Sequence, residues 1–444
     1  MTGSVQHIVV IGHTDVGRRA CALLESRGVR TTHLDDPSDA VVREALAAPV
    51  DGVAVLLHDD MRALRYSLMI EHVRPGIRLF VAMFDGTARA QLERNVPNCI
   101  VLSPAAISVP SMVAAAIAPD YLAIRRSGST ADRSWVSISK AADAPRASIH
   151  KYSVPVRLRV SGLIGRLRGQ LHPYDSGSSV LLGGAFGLLV IICLDTLIGL
   201  RHESLIRALY DATRTTATIS SPDLADETWV LAWAAFAAIL VMGFTAAFAA
   251  GIVHHLLSGR HVALVGRRVM PRSGHVVIVG MGQVGLRLAQ ELRAIGVAVV
   301  GIERHADAAG LPLARDLAIP VVIGDASSRR VLRRTGLAGA IALVAAGSDE
   351  RDNIAVAISA RAVADELRVV IRAGADDAID ETTSLFHIGS VVDVNGLTAA
   401  FVVESMMRAA PYAVVGAHDR VFTIDSAGSV IALLPESSAR CACD

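Results

Sequence analysis

Two long apolar stretches dominate the pattern of hydrophobic and polar positions in this 444-residue chain. Val180 to Leu200 is apolar apart from Asp195, and Thr228 to Gly259 contains no Asp, Glu, Lys or Arg. A helix rises about 1.5 Å per residue and the hydrocarbon core of a bilayer is about 30 Å thick, so each stretch is long enough to cross it. The buried helix of a soluble protein is the alternative, but such helices are seldom this long without a charge. The pattern therefore predicts two transmembrane helices in a lipid bilayer.

The charges beside these stretches predict their orientation. Basic residues flank the pair on both outer sides: Lys151, Arg157, Arg159, Arg166 and Arg168 before it, and Arg260, Arg267, Arg268 and Arg272 after it. The short connection carries three arginines against five acidic residues. The positive-inside rule then places both flanks in the cytoplasm and the connection outside. We expect a multi-pass protein of the plasma (inner) membrane whose soluble domains are cytoplasmic.

Shorter apolar runs on either side predict two α/β domains. His7 to Ile11 is a β-branched run followed by Gly12-His-Thr-Asp-Val-Gly17 and a helical stretch. His275 to Val279 leads into Gly280-Met-Gly-Gln-Val-Gly285, a helix to about Ile295, and a strand that ends at Glu303. Strand, glycine turn and helix in this order are typical of a dinucleotide-binding Rossmann unit.

The two domains are copies of one pattern. Gly12 and Gly280 are separated by 268 residues, as are Asp35 and Glu303, whereas Arg78 and Arg368 are 290 apart. The first copy therefore lacks 22 residues that correspond to about Leu311 through Arg333, including a strand. It also has Thr14 where the second glycine of the motif allows backbone to approach a pyrophosphate. We interpret the first copy as degenerate, and its Asp35 as a solvated loop acid rather than a ribose ligand.

The second copy keeps every feature of a nucleotide site. The candidate cofactor-binding residues are Gly280, Met281, Gly282, Gln283, Val284, Gly285, Glu303, Arg304, Asp325 and Ala326. Free N–H groups at the start of the helix would hold a phosphate. Glu303 would accept hydrogen bonds from ribose hydroxyls, which favours NAD(H) or ATP/ADP over NADP; Arg304 weakens that preference. Asp325 has two alternatives of similar weight, a contact with the base and a helix N-cap.

Composition excludes several functions. The net charge is only +1 and the basic residues cluster beside the apolar stretches, so we expect no nucleic-acid partner. The five cysteines lack ligand-like spacing except for Cys441-Ala-Cys443, and a lone pair of cysteines in a tail is too little for a site, so no metal is assigned. No acid/base group stands near the glycine turn and no substrate domain follows it, so we assign no catalytic residue and expect no enzyme activity. An NAD-dependent oxidoreductase is a minor alternative.

Several motifs resemble the RCK (regulator of potassium conductance) domain, the nucleotide-binding TrkA-N-like module of Trk and Ktr potassium transport systems. The resemblance rests on the glycine turn, Glu303, Gly324-Asp-Ala326, and Gly347-Ser-Asp349 with Asn353. It implies two α/β Rossmann-like RCK domains, the first degenerate, flanking a two-helix transmembrane hairpin with a re-entrant pore helix. It further implies a homo-oligomer, a tetramer, whose cytoplasmic domains form a ring that couples nucleotide binding to gating. The expected domains are a degenerate domain at 1–124, a linker and basic segment at 125–178, the hairpin at 179–257, a basic linker at 258–273, the nucleotide-binding lobe at 274–410 and a short tail at 411–444.

The connection between the apolar stretches resembles a pore loop without a potassium filter. Ser204 to Thr213 has the pattern of a pore helix, but no glycine occurs between Leu200 and Gly243. Potassium filters use backbone carbonyls in dihedrals that glycine permits. The pore candidates are therefore the hydroxyls of Thr215, Thr216 and Thr218, together with Asp195; an ordinary extracellular loop is the alternative. Asp195 would attract cations or pair with Arg201 or Arg207, and Gly243 would serve helix packing or a gating hinge.

These observations lead to one principal hypothesis and one alternative. The principal hypothesis is a nucleotide-regulated potassium or monovalent-cation channel or transport protein, with potassium as the permeant ion. The alternative is a non-conducting, membrane-anchored NAD- or ATP-binding sensor that regulates another potassium transport system.

Overall fold

A computed structural model describes most of the chain. The described residues are 6–126, 135–139, 148–152, 155–171, 176–201, 203–217, 228–257, 262, 268–374, 389–417, 420–425 and 428–433. The chain forms two compact units, of which the first comprises residues 1–165 and 271–444 and the second comprises residues 166–270.

The first domain of the larger unit is a parallel sheet with helices between its strands. Its strands are β1 (His7–Ile11), β2 (Arg30–Leu34), β3 (Gly52–Val55), β4 (Arg78–Ala82) and β5 (Cys99–Leu102). Its helices are α1 (Asp15–Ser26), α2 (Asp39–Ala47), α3 (Asp60–Val73), α4 (Gly86–Asn95) and α5 (Pro104–Ile117). The strands lie in the order β2-β1-β3-β4-β5. The β-branched run at His7 forms the first strand as predicted.

The segment after α5 contains regular structure where the sequence predicts a linker at 125–178. Three antiparallel strands follow the first domain: β6 (Tyr121–Arg126), β7 (Trp135–Ser139) and β8 (Ile149–Tyr152). Helix α6 (Val156–Leu171) comes next. The sequence did not indicate these elements, because the Ser-, Arg- and Ala-rich composition hides short strands that are stable only when they pair.

The smaller unit contains three helices. They are α7 (Ser176–Gly199), α8 (Leu205–Thr216) and α9 (Thr228–Leu257). Helices α7 and α9 pack closely, since a Cβ on Gly251 would lie 2.5 Å from the Leu181 Cβ. Gly243, by contrast, has no atom within 4 Å of such a position, so close packing is achieved at Gly251 and not at Gly243.

Several polar side chains of this unit have partners that the sequence did not indicate. Asp195 pairs with neither predicted arginine; its Oδ1 accepts a 2.7 Å hydrogen bond from the Trp233 Nε1–H, which joins α7 to α9. Thr215 and Thr216 lie in the last turn of α8 rather than in an extended loop, and the Thr216 hydroxyl donates to the Ala212 carbonyl at 2.9 Å. Thr218 lies outside the described residues. Most of the predicted segment Ser204 to Thr213 does form a helix, α8, because its apolar positions recur at helical spacing.

The second α/β domain repeats the first with one additional strand. Its strands are β9 (His275–Val279), β10 (Ala298–Glu303), β11 (Val321–Ile323), β12 (Ala342–Ala345), β13 (Arg368–Ala373) and β14 (Ser390–Asp393). Its helices are α10 (Gln283–Ala294), α11 (Leu311–Asp316), α12 (Arg329–Arg334), α13 (Glu350–Arg361) and α14 (Val394–Met407). The order β11-β10-β9-β12-β13-β14 matches that of the first sheet once β11 is removed. The missing strand of the first copy, inferred from spacing, is thereby confirmed.

Three further antiparallel strands occupy part of the predicted tail at 411–444. They are β15 (Ala413–Ala417), β16 (Arg420–Ile424) and β17 (Val430–Leu433). They are the counterpart of β6–β8 in the first copy, and β15 contacts β6. The structural repeat therefore continues past the parallel sheets into the described part of the predicted tail.

The last helix of each copy packs on the other copy. Helix α5 contacts α10 and strands β12 to β14, whereas α14 contacts α1, β3 and β4. The two helices are 290 residues apart at both ends and also contact each other. One hydrophobic cluster consequently contains side chains of both copies, including Phe80 of β4 and Phe401 of α14, whose ring centroids are 6.1 Å apart. The two copies form a single folded unit.

A matched pair of arginines marks the two-fold relation between the copies. The Arg78 guanidinium donates to the Met406 carbonyl at the end of α14, with 2.7 Å between the atoms. Arg368 donates in the same way to the Ala116 carbonyl at the end of α5, at 2.8 Å. Donor and acceptor both shift by 290 residues between the copies. The correspondence between Arg78 and Arg368 predicted from the sequence is therefore also a correspondence of contacts.

Candidate functional site

The glycine turn after β9 has a backbone that requires glycine. Gly280 has φ of +86°, and a Cβ there would lie 3.0 Å from the Gly347 nitrogen. A Cβ on Gly285 would lie 1.9 Å from the Gly280 carbonyl oxygen. The first glycine therefore makes the turn, and the third lets α10 pack tightly against it.

The middle glycine leaves open space at the start of α10. Gly282 is the N-cap residue and provides no side-chain hydrogen bond to the helix. A Cβ built on it meets no atom within 4 Å, and both Gly282 and Gln283 are exposed. The first N–H groups of α10 thus lack a side-chain cap and face solvent. Uncapped N–H groups at the positive end of a helix dipole are suited to a phosphate or pyrophosphate.

The equivalent place in the first domain is closed by its own side chain. Thr14 is buried at the N-cap of α1, and its Oγ1 accepts a 3.1 Å hydrogen bond from the Gly17 N–H. The threonine methyl and hydroxyl occupy the position where a phosphate would approach. The Thr14 side chain would therefore block the approach of a phosphate, and its hydroxyl caps the N-terminus of α1 instead.

Two positions beside the glycine turn carry different residue types in the two domains. In the second domain, Met281 is buried over Gly301, and a Cβ on Gly301 would lie 2.5 Å from its sulfur. In the first domain the corresponding residues are His13 and His33. His33 is buried and its Nε2 lies 3.0 Å from the Gly12 carbonyl oxygen and 3.4 Å from Asp35. Asp35 is therefore held beside two histidines, and it remains 60% exposed.

Glu303 lies at the end of β10 beside the glycine turn, as predicted. Its Oε2 accepts a hydrogen bond from the Met281 N–H at 2.8 Å, and its Oε1 accepts from the Arg304 N–H at 2.8 Å. The His305 N–H is 3.3 Å from the same Oε1. A carboxylate has about four lone-pair directions, so these bonds leave one on Oε2. The backbone positions Glu303 and leaves an acceptor for a ribose hydroxyl.

A cluster of exposed charges continues the same sheet edge. The Arg304 guanidinium donates to Asp352 at 2.9 Å and lies 3.6 Å from Asp325. Asp325 accepts from the Ser327 N–H at 2.9 Å. That hydrogen bond, assisted by Arg304, lowers the pKa of the Asp325 carboxyl. The alternative of Asp325 as a helix N-cap was wrong, because Ser328 holds that position for α12.

The turn after β12 supports the glycine turn from the side. Asn353 is buried, and its amide both accepts from the Gly347 N–H and donates to the Gly347 carbonyl, each at 3.0 Å. Its Nδ2 also lies 3.0 Å from the Arg372 carbonyl oxygen. One side chain thus ties the ends of β12 and β13 together. Gly347 and Asn353, which carried part of the family resemblance, have a positioning role.

Three of the predicted residues contribute backbone rather than side chain. Met281, Val284 and Ala326 are all buried in hydrophobic clusters of the second domain. Their side chains therefore face the core, and only their main-chain groups are available at the sheet edge. The structure brings Gly282, Gln283 and Glu303 together at that edge, with Arg304 and Asp325 beside them.

The sequence did not indicate a cavity of about 140 Å³ at the carboxyl ends of β12 and β13. It is lined by Asp15, Gly347, Ser348, Glu350, Arg372, Ala373, Gly374 and Asn395. Burial lowers the pKa of the Arg372 guanidinium, while Glu350 opposes that effect. Asp15 comes from the first copy and Asn395 from α14, so the cavity exists only because the copies pack together. Arg372, near the end of β13, is the one feature of the sequence that could have indicated this cavity.

An ion pair joins the two copies beside this cavity. Arg19 of α1 donates to Asp393 at 2.6 Å and to the Gly374 carbonyl at 2.8 Å. The Arg19 side chain is 11% exposed, so it is held firmly between the copies. Among the residues that the structure describes, no group of three or more His, Cys, Asp and Glu side chains is placed to hold a metal ion.

Comparison with known proteins agrees with this geometry. Residues 276–392 match the family model of the TrkA-N domain. A protein of unassigned function from Methanothermus fervidus is 30% identical over 107 residues. That match covers 24% of this chain and 17% of the relative, so the chain spans only about a sixth of that protein.

Solved structures extend the similarity of fold to most of the chain. The structure of the GsuK RCK domain superposes with a TM-score of 0.51 at 14% identity, covering 92% of this chain and 78% of that one. The structure of the GsuK channel bound to NAD gives a TM-score of 0.51 at 13% identity, covering 92% and 64%. At this identity the likeness concerns the fold. Residues 276–392 thus form a TrkA-N-like domain, and the overall fold is similar to that of the GsuK RCK domain.

Proposed function

We propose that this chain is a nucleotide-regulated channel or transport protein for potassium or another monovalent cation. The observation that carries the proposal is the uncapped N-terminus of α10 at the glycine turn, with Glu303 beside it. This site belongs to a two-copy unit whose chain continues in both directions into a pair of long apolar helices. In this proposal, nucleotide binding at this unit controls the membrane segment.

The apolar helices support a membrane location by their exposure. Ser179–Gly199 and Leu231–Val253 both have a mean hydropathy of 2.3, and only 22% and 17% of them are buried. The core helix of a soluble protein would be mostly buried. Apolar side chains that face outward on both helices, such as Phe186 and Ile239, are suited to lipid.

The packing of the two copies supports an even number of crossings. Residues 1–165 and 271–444 form one compact unit, so the intervening chain has to return to the side it left. Two spans satisfy this requirement, whereas one or three do not. Together with the basic flanks, it favours a hairpin with both α/β copies in the cytoplasm.

The regulatory ligand that fits best is NAD(H), with ATP or ADP as the alternative. Glu303 suits an unmodified ribose and would repel a 2′-phosphate. One protein of similar fold is described as a channel bound to NAD. In this proposal the nucleotide binds without being consumed, no catalytic residue or metal is required, and potassium is the permeant ion. A homotetramer around a central pore completes the assembly, with no nucleic-acid partner.

One observation favours a second candidate, the non-conducting nucleotide sensor. Thr215 and Thr216 continue α8 as helix, and the Thr216 hydroxyl is bonded to the Ala212 carbonyl. Two of the three candidate threonines therefore do not offer an extended filter. In this second candidate the membrane helices anchor the nucleotide site, and the regulated transporter is a separate protein.

Ion flux from proteoliposomes distinguishes the two candidates. The full chain is reconstituted in vesicles loaded with potassium, and efflux is measured with and without NADH, NAD, ATP and ADP. The proposal predicts efflux that changes several-fold on nucleotide addition and is insensitive to nucleotide in a Gly282→Val variant. Nucleotide binding without any flux would support the sensor, and hydride transfer to an added substrate would instead support an oxidoreductase.

A further inference from the structure

Helix α6 is bound to the rest of the larger unit along a face made of glycines. Gly162 and Gly165 are buried against the segment 271–274. A Cβ on Gly165 would lie 2.0 Å from the Ser273 carbonyl oxygen, and the Gly165 carbonyl itself accepts a 3.0 Å hydrogen bond from the Arg272 N–H. Only glycine permits this approach. Segment 271–274 leads directly into β9, so α6 is in contact with the chain that enters the nucleotide site.

The opposite face of α6 is an apolar stripe with no protein partner among the described residues. Its members all keep at least two-fifths of their surface exposed: Val156, Val160, Leu163, Ile164 and Leu167. At about 100° per residue they fall within an arc of about 100°, centred roughly opposite Gly165. The spacing of i, i+4, i+7, i+8 and i+11 is that of one continuous helix face.

Arginines lie along both edges of this stripe. At the same helical spacing, Arg157 and Arg168 fall about 70° and about 90° to one side of its centre, and Arg166 falls about 110° to the other. No Asp or Glu occurs between Asp143 and Asp175. A helix with an apolar face, cationic flanks and no acidic residue complements an anionic lipid surface, since arginine stems lie along apolar groups while the guanidinium reaches phosphate.

We propose that α6 is an interfacial helix that seats its apolar stripe on the cytoplasmic surface of a bilayer containing anionic lipids. Arg157, Arg166 and Arg168 contact headgroup phosphates, and the glycine face remains packed on segment 271–274. The inference rests on the proposed membrane insertion of α7 and α9, because α7 begins five residues after α6 ends. It adds a lipid-binding surface that is linked through backbone contacts to β9, the strand before the glycine turn.

Spin-label accessibility in the full chain tests this proposal. Single cysteines at Leu163 and Leu167 are placed in a cysteine-free background and labelled. The chain is reconstituted in vesicles of equal parts phosphatidylcholine and phosphatidylglycerol. Met61 on α3, which is 71% exposed, serves as the water-facing control, and Phe186 on α7, which is 69% exposed, reports the span. Labels at 163 and 167 should be reached by oxygen and be several-fold less accessible to nickel-EDDA than the label at 61.

The outcomes separate this inference from the proposed function. If the label at 186 is shielded while those at 163 and 167 behave like that at 61, the lipid contact of α6 is wrong and the spans stand. If the label at 186 also behaves like that at 61, the spans themselves are wrong. Spin–spin broadening between labels at 163 would identify a second copy of this chain on the stripe and overturn the lipid assignment.

A charge variant tests the requirement for anionic lipid. Replacing Arg157, Arg166 and Arg168 by Gln, or omitting phosphatidylglycerol, should raise nickel accessibility at 163 several-fold. The control replaces Arg65, Arg89 and Arg94 by Gln, which removes the same charge from helices α3 and α4 and should leave position 163 unchanged. Equal nickel accessibility at position 163 in the wild-type chain, in the variant lacking Arg157, Arg166 and Arg168, and in vesicles without phosphatidylglycerol would refute the headgroup contact. An unchanged melting temperature verifies that each variant is folded.

Discussion

Among individual residues, Thr14 and Gly282 account for the difference between the two copies. Both occupy the N-cap of the helix after the first strand. Thr14 bonds the Gly17 N–H at 3.1 Å, whereas Gly282 leaves the N–H groups of α10 without a side-chain partner. A single side chain thus distinguishes a self-capped helix from one whose first N–H groups are open. An N-cap hydroxyl in place of glycine stabilises a helix by only about a few tenths of a kcal/mol, so the two caps differ mainly in whether the helix N-terminus is open.

The first prediction is that nucleotide binds only the second copy. Gly282→Val places a branched side chain over the open N–H groups, and Glu303→Ala removes the acceptor for ribose. Each should raise the Kd for NADH at least tenfold, which corresponds to about 1.4 kcal/mol. Calorimetry measures the Kd for NADH. The full chain is used because α5 and α14 each pack on the other copy, so a separate second domain would expose its core.

Thr14→Gly is the matched control for this prediction. It opens the equivalent helix N-terminus in the first copy, which still lacks the 22-residue segment, and should leave the affinity and a stoichiometry of one nucleotide per chain unchanged. Wild-type affinity in both second-copy variants would show that the nucleotide binds elsewhere.

The second prediction concerns His275, the buried first residue of β9. Burial lowers its pKa from 6.5 to about 4, although its Nε2 lies 2.9 Å from the Thr335 carbonyl oxygen. The folded chain therefore keeps His275 neutral while the unfolded chain takes up a proton below about pH 6.5. Stability is fully present above pH 6.5 and is lost as the pH falls towards 4. Between pH 7 and pH 5 the loss should be about 2 kcal/mol.

Melting temperatures at pH 7 and pH 5 test the His275 prediction. The decrease should be smaller in His275→Asn, which cannot take up the proton, than in the wild-type chain. His305→Asn, at an exposed position of the same domain, should show the wild-type decrease. Identical pH dependence in all three proteins would mean that His275 is protonated in the folded state.

Among the secondary-structure elements, the exchanged helices α5 and α14 have the largest effect on the architecture. Each leaves its own sheet and covers the other copy, so neither copy has a complete core without its partner. The ion pair between Arg27 and the buried Glu404 at 3.2 Å adds a polar contact to the same boundary. The coupling between the copies is therefore a consequence of shared burial.

The third prediction is that the matched arginines contribute similarly. Arg78→Met and Arg368→Met each remove a donor to the last carbonyls of a helix from the other copy. We expect each to lower the free energy of unfolding by about 1 kcal/mol and to reduce the melting temperature. Arg94→Met is the control, because Arg94 donates to Ala90 within its own helix. A loss in the control equal to that in Arg368→Met would rule out the proposed cross-copy role.

The fourth prediction concerns α8 and the connection that follows it. The Thr216 hydroxyl is bonded within the helix, whereas position 218 follows the end of α8. If current flows, Thr218→Val should alter single-channel conductance and Thr216→Val should not. Reversal potentials should show weak discrimination between potassium and sodium, because the connection lacks the glycines of a potassium filter. Strong potassium selectivity, or equal effects of both variants, would count against this arrangement.

In the whole molecule, two copies separated by the apolar helices fold into a single unit. Arg78 and Met406, which form a hydrogen bond, are 328 residues apart in the chain. The chain between the copies must therefore return to the unit that it left. The proposed membrane insertion thus requires an even number of crossings.

The fifth prediction is that both copies lie on the same side of the membrane, with the connection after α7 on the other. In a cysteine-free background, Ser204→Cys should react with a membrane-impermeant thiol reagent added to intact cells. Met61→Cys should react only after the cells are permeabilised. Both positions are exposed, so access depends on the membrane rather than on burial. The opposite labelling pattern would invert the topology, and labelling of both would exclude a hairpin.

Local patterns in the sequence were sufficient to predict much of this architecture. The parallel strands beginning at His7 and His275, the two glycine turns, the missing strand and the long apolar helices all follow from periodicity, turn residues and spacing. These signals are local because side-chain alternation and backbone sterics act over a few residues. The residues around Gly282 and Glu303 could be placed together for the same reason, since the carboxyl ends of parallel strands meet at one edge.

Other features depended on contacts between distant residues. The exchange of α5 and α14, the cavity beside Arg372, the Trp233 bond to Asp195 and the glycine face of α6 join segments that no short pattern connects. Short strands such as β15 are stable only once they pair, so their composition reads as a linker or tail. Such contacts form because burial and hydrogen bonding are optimised over the whole fold, and no local sequence window contains both partners.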